Sequence, residues 1–321
     1  MQRRALLGAA LLALPAVGRT EAVAFPQRPI TLVVPFGPGG VADVTARTVG
    51  KAMGESLGQP VIVDNRPGAG GIVAGQAVLQ APRDGHTLLL MSNASAVSVH
   101  LVRKLPYDVQ RDFTPISTLG FFELALVVNA SSRFKTLADL LAFAKANPNQ
   151  LSIGTITAGS TQHLAAEWFK AMTGIVATVV PYKGSPAVVN ALRAGEVDLV
   201  FEILSPLLPQ VAARALRPLA VTGPQRAAPW PEVPTVAEQG WPAYQVDSWN
   251  ALAAPAGTPP AAVARLQRAV AEAVNQPGVR SSLRELGVKP QAGTPAEATA
   301  LLAREIQHWG AVVRAAHIAP E

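Results

Sequence analysis

The chain has no cysteine among its 321 residues. That removes disulfides, thiol nucleophiles and thiolate metal ligands in one step. The absence is compatible with an oxidising compartment without requiring one. Charge is scarce as well: charged residues make up 15% of the chain against 49% hydrophobic. This is too little charge for a disordered chain and enough apolar matter for a sizeable core. Aromatics reach only 5%. Ala, Val, Leu, Gly and Pro dominate, a composition suited to close-packed α/β layers joined by tight loops. The net charge is +6, but Lys and Arg are scattered, with no long block of one sign. A nucleic-acid interface needs a clustered basic stripe, preferably with interleaved aromatics, so nucleic acid is not expected as a partner. A mild positive excess does help to attract anionic solutes.

The N-terminus is organised differently from the rest. Gln2-Arg3-Arg4 is a short basic segment, Ala5 to Val17 is an uninterrupted apolar and small-residue run, and Ala22-Val23-Ala24 precedes Phe25-Pro26. This is the order of a secretory signal peptide over residues 1–24, cleaved after Ala24. The run is too short to span a bilayer; the alternative is a buried N-terminal helix. The arginine pair also hints at twin-arginine export. Arg3, Arg4, Arg19 and Glu21 lie in this leader, so its removal lowers the net charge by two, to +4. The expected product is a periplasmic protein without a cysteine for a lipid anchor.

Beyond the leader one unit recurs: a short apolar run, a loop of small residues, then a helix-like segment. Ile30–Val34 leads into Pro35-Phe36-Gly37-Pro38-Gly39-Gly40, Val61–Val63 into Asp64–Gly71, and Thr87–Met91 into Ser92–Ser95. Leu151–Ile153 leads into Gly154–Ser160, Val179-Val180 into Pro181–Ser185, and Val197–Phe201 into Glu202–Ser205. Continuous apolar strands alternating with helices imply parallel sheets covered on both faces. The helices carry their own punctuation. Val41, Val44, Thr45, Thr48, Val49, Ala52, Met53 and Leu57 fall near one stripe that Gly58 and Pro60 stop. Thr136 with Asp139, Thr235 with Glu238 and Thr294 with Glu297 fit capping boxes. Ser185-Pro186, Ser205-Pro206 and Thr258-Pro259 each place a capping hydroxyl before a proline.

The units form two groups, which predicts two α/β domains: residues 25–123 with 248–321, and residues 124–247. Leu124–Val128 carries the chain across and Trp249–Ala253 carries it back. Ligands of parallel α/β sheets sit beyond the carboxyl ends of strands, where helix N-termini present free backbone N–H groups and the positive ends of their dipoles. An anion can be held there without Arg or Lys. The loop Phe36 to Ala42, with Pro38, Gly39, Gly40 and Val41, fits this use in the first group. Thr157, Ala158, Gly159, Ser160 and Thr161 fit it in the second; the alternative is that these glycines only make tight turns. Asp43 is either a helix cap or a ligand contact. Glu202 follows a buried-looking strand directly and is a candidate for the cleft, where a carboxylate would repel an acid ligand unless that ligand carried an ammonium or hydroxyl, or Glu202 were paired. Lys183 either reaches the ligand or pairs on the rim.

Enzyme signatures are missing. Gly68–Val73 fails the dinucleotide pattern at its sixth residue, and no Walker lysine or G-x-S-x-G elbow occurs. His163 and Glu167 share a helix face without a second histidine in reach of a zinc ion, and His163 reads better as a structural residue. No metal or cofactor is expected.

Taken in order, the loops resemble the Bug or TctC-type extracytoplasmic solute receptors of tripartite tricarboxylate transport systems. The resemblance rests on Val34-Pro35-Phe36 with Pro38-Gly39-Gly40 and Asp43, on Asn65–Gly71, on Leu105-Pro106-Tyr107-Asp108 before Asp112-Phe113, and on Gly159 with His163-Leu164-Ala165. Val180–Gly184, Gly195–Phe201, Leu219–Thr222, Pro234–Glu238 and Ala254–Pro259 complete it. It implies a two-domain type II periplasmic-binding fold, with a carboxylate gripped in the cleft by backbone amides and small hydroxyls. The matching positions are Phe36–Ala42, then Ser92, Asn93, Ala94 and Ser95, then Thr157–Thr161, then Tyr182, Lys183 and Gly184. It further implies a monomeric receptor that hands a small carboxylate to a membrane permease. Service to a sensor protein and, further off, a cleft enzyme are the alternatives. Three departures from the family pattern bear on the ligand's distal group: Ala42 for Thr or Ser, Ile72 for Asn, and Glu202 for Asp.

Overall fold

The computed structural model describes residues 25–316 and Ile318; the leader lies outside them. The chain opens with strand β1 (Ile30–Val34), helix α1 (Val41–Leu57), strand β2 (Val61–Asn65), a 3-10 turn at Ala69–Gly71 running into α2 (Ile72–Leu79), strand β3 (Thr87–Ser92) and α3 (Asn93–Leu101). The three strands are parallel in the order β2-β1-β3. Along α1 the expected stripe is the buried face, and Gly58 ends the helix in the left-handed region at φ 70°, a conformation glycine adopts without a Cβ clash.

A 17-residue strand, β4 (Phe113–Asn129), follows. After it come α4 (Leu137–Ala146), β5 (Leu151–Ile156), α5 (Thr161–Thr173), β6 (Ala177–Tyr182), α6 (Ser185–Ala194), β7 (Leu199–Ile203), α7 (Leu204–Ala212) and β8 (Leu216–Val221). Here β5 pairs in parallel with both β6 and β7. The chain then returns through β9 (Asp247–Pro255) to α8 (Pro260–Asn275), α9 (Pro277–Glu285), β10 (Val288–Pro290) and α10 (Pro295–Ala315). The helices α8 and α10 pack against α1 and α3.

The sheet is mixed rather than wholly parallel, because long strands carry the chain between its two groups. Residues 113–123 of β4 pair antiparallel with β9, and β9 pairs antiparallel with β3. Residues 124–129 of the same strand pair instead with β7 and β8. One strand therefore belongs to both parts of the sheet, and the change of partner falls between Glu123 and Leu124. Buried Thr222 clamps that point. Its Oγ1 accepts from Leu124 N at 3.1 Å and donates to Val246 O at 2.7 Å, and its own N–H donates to Leu124 O at 2.9 Å.

Capping follows the sequence at Thr136 and Thr294, which form reciprocal boxes with Asp139 and Glu297. Thr235 and Glu238 exchange the same two bonds around a turn. The hydroxyl–proline pairs deviate. Helix α6 begins at Ser185, with Gly184 as its N-cap. Strand β7 enters α7 without a loop, so Ser205-Pro206 falls inside the first turn, where proline's missing N–H has no helical partner to lose. Pro259 is the N-cap of α8, and the Thr258 hydroxyl, one residue earlier, donates to Pro255 O at 2.8 Å.

Candidate functional site

The loop between β1 and α1 exposes Gly37, Pro38, Gly39 and Gly40, while Phe36 packs against the core. Gly39 has φ 83°, and space is open where a Cβ would stand. Gly40 is the N-cap of α1 and offers no side-chain acceptor, so the first-turn amides of Val41 and Ala42 keep their polarity for another partner. Asp43, third in the helix, does not face outward; it is 3% exposed. Its Oδ2 accepts from Gly39 N at 2.9 Å, Arg47 Nε reaches both oxygens at 3.0 and 3.1 Å, and Asn65 Nδ2 reaches Oδ1 at 2.9 Å. Asn65, at the end of β2, also donates to Phe36 O at 3.0 Å and accepts from Arg47 Nη2 at 2.9 Å. Burial raises the Asp43 pKa, but the bonds from Arg47, Gly39 N and Asn65 and the charge of Arg47 outweigh it and leave the carboxylate below its ordinary range. Asp43 thus shapes the loop from behind.

The loop after β5 is built differently. Ser160 caps α5, accepting from His163 N at 3.2 Å and donating to Ile156 O at 3.2 Å. Thr157 and Ala158 are exposed, and Gly159 has φ 78°. The Gly159 N–H points at His163 Nδ1, 3.4 Å away, which gives His163 the structural bond to a loop backbone that its position implied. Gln162 is buried, and its Nε2 donates to Glu202 Oε1 at 2.8 Å. Glu202 is completely buried at the end of β7; the same oxygen accepts from Ile203 N at 2.8 Å, while Oε2 has no hydrogen bond. Burial drives its pKa up, against smaller downward pulls from Gln162, Ile203 N and Ser185. Tyr182 half-buries its ring, and its phenol pKa is raised by burial and by the charge of and hydrogen bond to Glu196. Lys183 is exposed and Gly184 heads α6 without a side-chain cap. Helices α1 and α6 therefore begin at bare glycines, α3 and α5 at serines.

The serine end of α3 is self-contained. Ser92 Oγ accepts from Ala94 N at 3.2 Å, and Ser95 Oγ accepts from Ser92 N at 3.5 Å. Asn93 is buried and donates to Asp247 O at 2.8 Å. The next residue, Ser248, meets Thr161 with 3.2 Å between hydroxyl oxygens. Adjacent residues of β9 thus hold the start of α3 and the start of α5, and Leu101 at the end of α3 lies 3.7 Å from where a Gly159 Cβ would stand. Among the described residues, no hydrogen bond joins Phe36–Ala42 or Tyr182–Gly184 to this junction. Arg47, Asn65, Gln162, Ser248 and Thr222 organise the site without having been expected there. The available signal was a polar side chain at the edge of an apolar strand or in a helix's first turn. A separate open groove of about 660 Å³ runs along β2 and is lined by Lys51, Gly54, Pro60 and Ile62. It includes none of the expected loop residues.

Among the described residues no cluster of His, Asp and Glu could hold a metal, and no helix is long and apolar enough to cross a membrane. Residues 45–318 match the sequence model of the tripartite tricarboxylate transporter family receptor, TctC. The chain belongs to this receptor family. BugT of Bordetella pertussis is 39% identical over 293 residues, covering 90% of each protein. Among solved structures, R. palustris Rpa4515 with adipate superposes with a TM-score of 0.86 at 37% identity, over 93% of this chain and 100% of that one. MatC (Rpa3494) from Rhodopseudomonas palustris with bound malate gives 0.83 at 32% identity, over 90% and 100%. The fold is therefore the type II periplasmic-binding fold, and the chain is a solute-binding receptor of the Bug and TctC type rather than an enzyme.

Proposed function

We propose that the mature chain is a periplasmic receptor that closes on a small carboxylate and hands it to the permease of a tripartite tricarboxylate transporter. The observation that carries this reading is the glycine-headed start of α1. It is an exposed loop with first-turn amides that no side chain caps, held in shape from behind by Asp43 and Asn65. Such an end binds anions through backbone N–H groups and the helix dipole. Gly184 likewise heads α6 without a side-chain cap, although Pro186 and the Ala187 N–H bond to Gly184 O leave fewer free amides there. Relatives solved with adipate and with malate support an acid ligand.

On this reading residues 25–123 and 248–321 form one domain and residues 124–247 the other. The change of sheet partner at Glu123–Leu124 supports a boundary there. Gly39, Gly40, Val41, Ala42, Thr157 and Gly184 supply ligand contacts, with Lys183 reaching in from the rim. Asp43 and Glu202 stand behind the loops. The leader at 1–24 directs export.

The test is a thermal-shift screen of the mature protein against mono-, di- and tricarboxylates, amino acids, aromatic acids and neutral sugars. A ligand at about 100 times its dissociation constant adds about 2.7 kcal/mol to stability. Gly39→Val, which puts a branched side chain at a left-handed position facing the ligand, should then abolish most of that shift. A shift with sugars and none with acids ends the carboxylate reading. Full binding by folded Gly39→Val moves the site away from α1.

A further inference from the structure

We propose that Glu202 is the positioning residue of the second site loop, fixing the first turn of α5 through Gln162 without touching the ligand. The inference rests on the receptor reading above and adds a role to a residue that the sequence placed in the cleft. Three consecutive side chains at the start of α5 point to three different anchors. Thr161 meets Ser248 on β9, Gln162 reaches Glu202 on β7, and the His163 ring turns back to Gly159 N. The Thr161 and Gln162 bonds are both buried, and of the three only the Gln162 bond runs to a neighbouring strand of the same sheet group. Gln162 is 6% exposed and Glu202 0%.

The geometry explains why glutamate stands here. Glu202 ends β7, and the adjoining strand β5 feeds the Thr157–Ser160 loop. Its Oε1 takes two donors at 2.8 Å, Gln162 Nε2 and Ile203 N. One side chain thus bears on the starts of α5 and α7. A side chain shorter by one methylene retracts the oxygen from Gln162 while leaving its own backbone unchanged. No salt bridge to Glu202 occurs among the described residues, and all its partners are uncharged. What the clip needs is an acceptor at that reach, not a charge. A buried acceptor that loses its donor, or a donor that loses its acceptor, is costly, so the pair resists separation when the loop is loaded.

Two substitutions separate positioning from ligand contact. Using the acid that shifts the wild type most in the screen, Glu202→Asp should weaken binding about tenfold, the effect of one lost buried hydrogen bond. It should also speed amide exchange at Thr157–His163 in the ligand-free protein. Glu202→Gln keeps both reach and acceptor and should stay within about threefold of wild type. Gln162→Met removes the donor from the other side at similar size and should reproduce the Glu202→Asp result, which covers the case in which Glu202→Asp fails to fold. Wild-type affinity and exchange in folded Glu202→Asp, or in Gln162→Met, overturns the inference. So does Glu202→Gln as weak as Glu202→Asp, since the acid itself would then be what the ligand needs. A wild-type protein that binds none of the acids sinks the receptor reading first, and this inference with it.

Discussion

Asp43 and Glu202 stand behind the two site loops in contrasting surroundings. Around Asp43 the donors include a guanidinium. Arg47 lies half in solvent, with a side-chain exposure of 51%, and delivers positive charge to a carboxylate exposed by only 4%. Around Glu202 the donors are a side-chain amide and a backbone N–H. The pKa of one carboxyl is lowered and that of the other raised, although both are buried. Burial alone does not decide ionisation; the charge of the donors does. The difference also follows position. Asp43 lies in the first turn of α1, where the helix dipole favours negative charge, whereas Glu202 lies on the strand before α7.

The contrast should appear first in stability. Asp43→Ala leaves Gly39 N, Arg47 and Asn65 without their shared acceptor and should cost on the order of 3 kcal/mol. Asp43→Asn keeps the shape and loses the charge, at about 1.5 kcal/mol. Glu202→Gln should stay within about 0.5 kcal/mol in mild acid, because it replaces a neutral group with another of the same reach. The pH dependences run in opposite directions. The folded pKa of Asp43 is depressed, so its contribution is present above its unfolded value of 3.8 and is lost as pH falls through the folded pKa. The folded pKa of Glu202 is raised, so its contribution is complete below 4.5 and is lost as pH rises through the folded pKa. Denaturant melts of each variant at pH 4 and pH 8 read both. Glu202→Gln should gain on the wild type at the higher pH, and parallel behaviour of the two sites would remove the contrast.

A third, half-buried carboxyl sharpens the comparison where β4 changes partner. Glu123 faces Asp247 across β4 and β9. Burial, then the charge of Asp247, pushes it up to about 7, with Lys289 pulling the other way. Its contribution is complete below 4.5 and fades as pH rises through about 7. Glu123→Gln should therefore gain on the wild type across that window, by about 1 kcal/mol after solvent screening. A flat difference between pH 5 and pH 7.5 in paired melts would show that Glu123 carries its charge throughout.

The strands and the glycine loops were legible because apolar runs, glycines and capping pairs act locally. Ile30–Val34 into Gly37–Gly40 needs no distant residue to be read. The apolar run at Leu124–Val128 was legible as a strand in the same way, and it lies within β4. What escaped was side-chain company across the fold. Nothing near Asp43 in sequence names Asn65 as its partner, and nothing near Glu202 names Gln162. Glu202 read as reaching into a cleft because its strand ends there; the structure turns the carboxyl inward to meet a donor from α5. The serines at 92 and 95 looked available for a ligand, yet helix α3 uses them to cap itself. Hydroxyl groups near a helix start satisfy local amides before they serve anything else.

The smallest expected effect concerns the bond that joins the groups rather than either loop alone. Thr161 and Ser248 are both buried, and their hydroxyls are 3.2 Å apart. Removing one leaves the other without that partner, so Ser248→Ala and Thr161→Val should each cost about 0.5–1 kcal/mol. Because they remove the same bond, the double variant should cost less than the sum, with a coupling of about 0.5 kcal/mol in a double-mutant cycle. Strict additivity would mean that this contact does not tie α5 to β9, leaving the Gln162–Glu202 bond to tie the first turn of α5 to a strand. The two loops would then differ more than the structure suggests, the first tied to its helix and the second only to its own sheet.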